Sequence, residues 1–213
     1  MARHSGPGQR ERVAAILMGG LGITQVVAMP LVAPLIAGAF QMTGSDSGLV
    51  GLANLLGTAL GSLIVTVWMK RLPLRLTAML SALLACGAQL CVPFMSGFHA
   101  AVLMETMGGA GAGVLLALSA AIIGASANPD RGFAFILTLQ AIVAVVVLLS
   151  IPSLVSPSSL FPAAAFLAGV QALLIPVSFA LRRPPLPGGS RPLRDQGGAA
   201  LDVLLRGLSI CRR

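Results

Sequence analysis

Glu105 is the residue of this sequence best suited to chemistry, because it is a carboxylate inside a long apolar segment, within the stretch ETMGGAGAG. A carboxylate in such surroundings is costly, and it commonly binds a cation or carries a proton. Two amides, Gln25 and Gln140, lie near the middle of other apolar segments. We therefore expect Gln25, Glu105 and Gln140 to line a cavity for a substrate or an ion.

A simpler interpretation of Glu105 stays open at this stage. Its apolar segment begins near His99, so the carboxylate lies about 9 Å along a helix from that point. There it could be stabilised by the positive end of the helix and reached by water. Other amides in apolar segments have an equally simple explanation, since an amide can join two helices by a hydrogen bond; these are Asn54, Gln89 and Gln171.

The sequence contains no constellation of residues typical of catalysis. His4 lies in the terminal tail, and His99 is expected in a loop. The run GGAGAG resembles a nucleotide-binding loop, but such loops need a preceding strand and a downstream acidic residue. An intramembrane enzyme would require two or more convergent titratable groups, and only Glu105 is present. We expect no enzymatic activity, no cofactor and no metal site.

The segments that hold these residues are too apolar for a soluble protein. Hydrophobic residues make up 56% of the 213 residues and charged residues 9%, with a mean hydropathy of +0.94. A soluble domain carries about 25% charged residues, whereas apolar runs of about 20 residues are typical of membrane-spanning helices. The sequence predicts an all-α membrane protein with six such helices, over approximately residues 13–40, 48–69, 76–95, 101–126, 133–155 and 160–181.

The basic residues indicate the orientation of the chain in the membrane. All 14 lysines and arginines lie before the first span, between the second and third, between the fourth and fifth, or after the sixth. Basic loops stay in the cytoplasm, so we expect both termini there, in a bacterial inner membrane. Nucleic acid is not an expected partner, because no basic stripe alternates with aromatic residues. The predicted organisation is a cytoplasmic tail over residues 1–12, a six-helix transmembrane domain over 13–183, and a cytoplasmic linker or truncated tail over 184–213.

Small residues spaced four apart indicate where helices pack closely, because helices in lipid associate through close backbone approach. The first span is in addition expected to bend, since Pro30 and Pro34 remove backbone hydrogen bonds. Glycines at the packing spacing occur in the second and fourth spans, and we expect them to contact other helices: Gly57, Gly61, Gly109, Gly111 and Gly113.

Three stretches carry a family resemblance: SDSGLVGLANLLGTALGSLIV, KRLPLR and ETMGGAGAG. Their placement on the second helix, the following loop and the fourth helix resembles the amino-terminal six-helix half of a major facilitator superfamily transporter. In the loop, Arg71 and Arg75 fit the basic positions of the family motif, but Lys70 and Pro73 replace its Asp and Gly. In the fourth helix the motif glycines are in register, and Glu105 stands where the family carries an Arg.

The resemblance implies a secondary carrier that holds a small solute at the membrane midplane between two six-helix halves and rocks them to alternate access. It also implies a gating loop at Lys70, Arg71 and Arg75. The sequence supplies one half, so it could be a truncated or frameshifted product, or a half that pairs with a second half or a second copy. The antiporter motif of helix five is absent, which argues against a drug and proton exporter.

The predicted function is therefore transport of a small solute across the lipid bilayer, by one half of a facilitator-type bundle. The alternative is a non-transporting membrane scaffold or partner subunit. A scaffold would not require a polar cavity shared by Gln25, Glu105 and Gln140, so these three residues discriminate between the two functions.

Overall fold

The computed structural model describes residues 7–41, 44–69, 73–154 and 160–181, without the side chains of residues 44 and 45. Within these residues every regular element is helical. One short 3₁₀ turn, Val92–Phe94, follows the fourth helix. The α-helices are α1 (Gln9–Gly22), α2 (Thr24–Ala39), α3 (Gly44–Trp68), α4 (Leu74–Cys91), α5 (Phe98–Gly124), α6 (Pro129–Leu154), α7 (Phe161–Ala172) and α8 (Leu174–Ser178).

Six of the resulting helical segments are long and apolar enough to cross a membrane. Span one comprises α1 and α2, and span six comprises α7 and α8. Spans two to five correspond to α3, to α4 with its 3₁₀ turn, to α5 and to α6. The predicted all-α fold with six membrane-spanning helices is confirmed, and the predicted boundaries differ from the observed ones by a few residues. The predicted terminal tail over residues 184–213 lies outside the described residues.

Span one is interrupted at Ile23, between α1 and α2, although the sequence places the bend at the prolines. Helix α2 continues through both Pro30 and Pro34. The interruption directly follows Gly22, in a segment that also contains Gly19 and Gly20. Glycine is a poor helix former because it loses the most backbone freedom on folding. The glycine-rich segment is therefore a better account of the interruption than the prolines.

Local sequence explains several helix starts. Helix α1 begins with a cap in which the backbone N–H of Gly8 donates to Glu11 at 2.9 Å. Helix α6 begins at Pro129, which needs no amide partner at a first helical position, and Asp130 in the first turn matches the positive end of the helix. The connections between consecutive spans are only a few residues long. Consecutive spans therefore run antiparallel.

Spans one and four form the centre of the bundle. Of their most apolar windows 56% is buried, compared with 28% for span two and 22% for span five. Helix α5, which is span four, contacts α1, α2, α3, α4 and α6. Spans two and five consequently present long apolar faces, which include Leu52, Leu63, Leu137 and Leu149.

Two apolar clusters fill the interior. One contains Met18, Ala82 and Leu115 and lies towards the end of the bundle where α1 begins. The other contains Ala28, Phe98 and Ala101 and lies towards the opposite end. In spans one to four, the residues between the two clusters include the buried polar side chains Gln25, Asn54, Gln89 and Glu105. A polar layer, defined by these four residues, therefore separates two apolar ends.

Candidate functional site

Glu105 lies two turns into α5 and has no exposed surface. Its carboxylate accepts a hydrogen bond from Nε2 of Gln89 at 3.1 Å on Oε1 and 3.2 Å on Oε2. Oε2 also accepts from Nδ2 of Asn54 at 3.1 Å. Both partners are amides, so the carboxylate has donors but no cation beside it among the described residues. Because the side chain is fully enclosed, contact with outer water does not account for its position.

Asn54 reaches Glu105 because α3 lies unusually close to α5. A Cβ atom at Gly109 would overlap the backbone carbonyl of Asn54, so only glycine permits this approach. The amide nitrogen of Asn54 lies 3.3 Å from the backbone oxygen of Glu105 as well as 3.1 Å from its Oε2. One side chain of span two thus binds both the main chain and the side chain of the same residue in span four.

Four of the five glycines predicted to pack helices lie along this same contact. A Cβ atom at Gly57 would overlap the carbonyl oxygen of Thr106, and one at Gly61 would overlap that of Ala110. In the reverse direction, Gly109 faces Asn54 and Gly113 faces Thr58, again at carbonyl oxygens. Helices α3 and α5 therefore interlock through glycines of both.

The fifth glycine, Gly111, faces a different helix. A Cβ atom there would come within 2.6 Å of the carbonyl oxygen of Ser81 and 2.9 Å of the backbone nitrogen of Ala85, both in α4. Span four thus approaches span three as well as span two at close range. Gln89, and Gln25 through its bond to Ala85, lie along this contact of α4 with α5, which we call the groove.

Gln89 occupies the position on α4 that mirrors Glu105 on α5. The two helices are joined by a tight connection around residues 95–97, and both residues lie a similar number of positions from it. In an antiparallel hairpin of helices, such residues lie at the same depth. From the sequence alone, Asn54 and Gln89 are expected only to join two helices by a hydrogen bond. The similar distance from a short connection is the signal that could have paired Gln89 with Glu105.

Gln25 lies about one helical turn along the same groove. Its Nε2 donates to the backbone oxygen of Ala85 at 3.2 Å, and its amide is 3.0–3.1 Å from where a Cβ of Gly108 would stand. Ala85 precedes Gln89 by four residues, and Gly108 follows Glu105 by three. At 1.5 Å per residue, the amide of Gln25 is therefore about 5 Å along the helices from the carboxylate.

Gln140 lies elsewhere in the bundle. Its Nε2 donates to the backbone oxygen of Gly19 at 2.9 Å, and the side chain is half-buried between α6 and α1. Gly19 precedes Gln25 by six residues, about 9 Å along span one. The structure therefore brings Gln25 and Glu105 into one groove and places Gln140 on a separate contact.

The predicted gating loop is only partly described. Lys70 and Arg71 lie outside the described residues. Arg75, at the start of α4, places its guanidinium 4.3 Å from the centre of the Phe179 ring. This cation–π contact is favourable and joins the beginning of span three to the end of span six.

The chemistry available at the site is that of hydrogen bonding and ion binding. An ionised carboxylate can only accept hydrogen bonds, and an amide can donate and accept. Within the described residues no three His, Cys, Asp or Glu side chains come together. The only carboxylate of the site, Glu105, has no nucleophilic side chain among its hydrogen-bond partners.

The fold and the enclosed carboxylate together define a multi-pass α-helical membrane protein with a polar layer inside an apolar bundle. The family model of the Major Facilitator Superfamily matches residues 14–211. The chain belongs to this superfamily, whose members are transporters rather than enzymes. No curated protein and no solved structure matches the chain significantly.

Proposed function

We propose that this chain acts as one six-helix half of a secondary carrier that moves a small solute across a membrane, without covalent chemistry. The observation that carries the proposal is the fully buried Glu105, held by amides of spans two and three. An ionisable residue inside a membrane bundle is expensive to maintain and commonly marks an ion or substrate pathway. A protein that only supported a partner would gain nothing from enclosing a carboxylate.

We assign the pathway to the region around spans one and four, because these are the most enclosed helices and carry Gln25 and Glu105. Gln25 and Glu105 act together in one groove, and Gln140 contacts the solute from the separate contact between spans five and one. We assign the gating loop to Lys70, Arg71 and Arg75, of which Arg75 lies at the end of the bundle where span one begins.

The proposed setting is a bacterial inner membrane with both termini in the cytoplasm. All 14 basic residues lie in segments on one side of the six spans, which supports this orientation. A second six-helix half, or a second copy of the chain, completes the carrier by packing on the exposed apolar faces of spans two and five. Membrane lipid covers the rest of the apolar surface.

The proposal is tested by transport after reconstitution of the purified chain into proteoliposomes. The probes are radiolabelled sugars, amino acids and organic acids, supplied with and without a proton or sodium gradient. We expect uptake of at least one solute, with Glu105→Gln lowering the rate about tenfold or more, since a single lost charge contact commonly has this effect. Ser119→Ala is the control, because Ser119 is buried but only donates to the backbone oxygen of Ala15.

Two results would contradict parts of the proposal. If Glu105→Gln transported as fast as the wild type with the same pH dependence, Glu105 would have no role in the pathway. If no solute entered vesicles containing the chain, and co-expression of a second half changed nothing, the chain would be a membrane scaffold or partner subunit instead.

A further inference from the structure

The groove around Glu105 contains more acceptors than donors. Oε1 of Gln25 and Oδ1 of Asn54 are buried and have no hydrogen-bond partner among the described residues. Both amide nitrogens are in use, one on the backbone oxygen of Ala85 and the other on Glu105. Buried polar atoms are nearly always paired, so these two oxygens indicate that the site binds something with positive character.

The orientation of each amide is fixed by its neighbours. Rotating the amide of Gln25 by half a turn would bring its oxygen against the carbonyl oxygen of Ala85. The same rotation in Asn54 would bring an oxygen against the carboxylate of Glu105. Both alternatives place two acceptors in contact, so the atoms left unpaired are oxygens rather than nitrogens.

No protein cation compensates the charge of Glu105 within the described residues. The helices α2, α3 and α4, which pack against Glu105, carry only Asp46 and Arg75 as charged side chains there, each in the first turn of its helix. His99 and the charged residues of α1 and α6 are likewise confined to first turns. The polar layer thus contains one carboxylate, and no basic side chain lies at its depth in these helices.

We propose that Glu105, Asn54 and Gln25 bind a monovalent metal cation of the size of Na⁺, inside the six-helix bundle. Hard cations of this kind prefer carboxylate and amide oxygens. The single carboxylate balances one positive charge, whereas Ca²⁺ takes six to eight oxygens, commonly with several carboxylates. Gln89 is a positioning residue, since it donates to both oxygens of Glu105 and holds the carboxylate towards the groove.

A proton is the less suitable ligand. It would neutralise Glu105, but it could donate only one hydrogen bond and would leave at least one of the two amide oxygens unpaired. Both carboxylate oxygens of Glu105 already accept N–H groups, which suits the ionised form. A water molecule would satisfy the amide oxygens but would leave the charge uncompensated.

The inference deepens the proposed carrier function and rests on it for its role, since a cation bound here would couple its gradient to solute movement. The site itself is formed by helices of one half. Binding can therefore be measured on this chain without any solute or flux. A chain that binds Na⁺ and carries no solute would support the site and contradict the carrier function.

The test is the thermal unfolding of the purified full chain in detergent, with NaCl replaced by choline chloride at constant ionic strength and pH. We expect Na⁺ to raise the unfolding midpoint by about 5 °C or more at a hundredfold excess over its dissociation constant. Equilibrium binding of ²²Na⁺ to the same sample should reach about one ion per chain. Glu105→Gln should abolish both effects.

A second variant keeps the test decisive if Glu105→Gln does not fold. Gln25→Met removes one unpaired oxygen and leaves the hydrogen bonds of Glu105 in place, and we expect it to weaken Na⁺ binding about tenfold or more. Ser119→Ala should bind as the wild type does. Equal responses to NaCl and choline chloride would overturn the proposal, as would undiminished ²²Na⁺ binding in both site variants. Stabilisation by acid with none by Na⁺, Li⁺ or K⁺ would assign the site to a proton.

Discussion

Helix α5 makes two contacts of opposite character along its length. Against α3 it interlocks through Gly57, Gly61, Gly109 and Gly113, with backbone carbonyls where side chains would otherwise stand. At the polar layer it presents Glu105 to amides of α3 and α4, with Gln25 of α2 nearby, and not all of the amide oxygens there are paired. The first contact leaves no space for adjustment. The second contains unpaired amide oxygens that a ligand can use, so one helix combines a rigid joint with a candidate binding site.

The two contacts differ in the substitutions that they tolerate as well as in their rigidity. A glycine contact depends on the absence of a side chain, so almost any addition disrupts it. The polar layer depends on the match of donors, acceptors and charge, so a change of similar size can be tolerated if the pairing is kept. Substitutions that change only the shape, or only the hydrogen-bond pairing, therefore test whether the two contacts differ in this way.

The largest effect is expected at the glycine contact. In Gly57→Ala the added methyl group would overlap the carbonyl oxygen of Thr106 and force α3 away from α5. We expect the free energy of unfolding to fall by about 3 kcal/mol, near the upper end for overpacking. Chemical denaturation in mixed micelles measures this change.

The control for this substitution lies on the same helix. A Cβ atom at Gly51 would meet nothing within 4 Å, so Gly51→Ala should be neutral or stabilising by up to about 1 kcal/mol. If the two variants were equally stable, the close approach of α3 and α5 would not be the rigid joint that we describe.

The next effect concerns the polar layer. Glu105→Leu would leave the amide nitrogen of Gln89 without its acceptor in an enclosed site, and that of Asn54 with only the backbone oxygen of residue 105. An unpaired buried donor costs about 1–3 kcal/mol, so we expect a loss of about 2 kcal/mol in sodium-containing buffer. Circular dichroism during denaturation follows the transition.

The control for Glu105→Leu is the same denaturation measurement with sodium replaced by choline. On the proposed Na⁺ site, the wild type should lose in choline chloride the stabilisation that the ion supplies, whereas the variant has no site to lose. The difference in stability between the two should therefore shrink in choline chloride. A variant more stable than the wild type in both salts would mean that Glu105 is an uncompensated charge rather than part of a binding site.

The spans, the glycine contact and the polar layer differ in how far the sequence predicts them. The six spans were predictable because runs of about 20 apolar residues have few alternatives. The glycine contact was accessible because the spacing of Gly57 and Gly61 alone indicates a face of the helix. The partners of Glu105 were only partly accessible: the short connection between α4 and α5 places Gln89 at a similar depth, but which side chains face Glu105 depends on how each helix is rotated about its axis. Local sequence does not determine that rotation; packing against neighbouring helices does.

Two further features of the structure could not be predicted from the sequence. Asn54 and Gln140 are both amides within apolar spans, yet of these two only Asn54 reaches the carboxylate. Gln140 is directed to Gly19 because α6 packs on α1 at that point. The interruption of span one at Ile23 was not predictable either. Pro30 and Pro34 are the stronger local signals for a helix break, but α2 continues through both.

A smaller effect should appear as coupling between residues of the polar layer. In a double-mutant cycle of Gln89→Met and Glu105→Leu, the two changes remove the same hydrogen bonds. We expect an interaction free energy of about 1 kcal/mol, within the usual range for residues in contact. The same cycle with Ser62→Ala in place of Gln89→Met should give about 0.3 kcal/mol or less, because no hydrogen bond joins Ser62 to Glu105. Equal coupling in the two cycles would contradict a discrete polar layer.

The smallest effect belongs to a polar group that lies within the glycine contact. Ser62 on α3 donates through its hydroxyl to the backbone oxygen of Gly113 at 2.9 Å. Hydrogen bonds between membrane helices contribute about 0.6 kcal/mol on average, so Ser62→Ala should lower the free energy of unfolding by about that amount. The interlocked backbones would still hold α3 against α5 without this bond. A loss as large as that of Gly57→Ala would instead mean that hydrogen bonding, and not close packing, holds the two helices together.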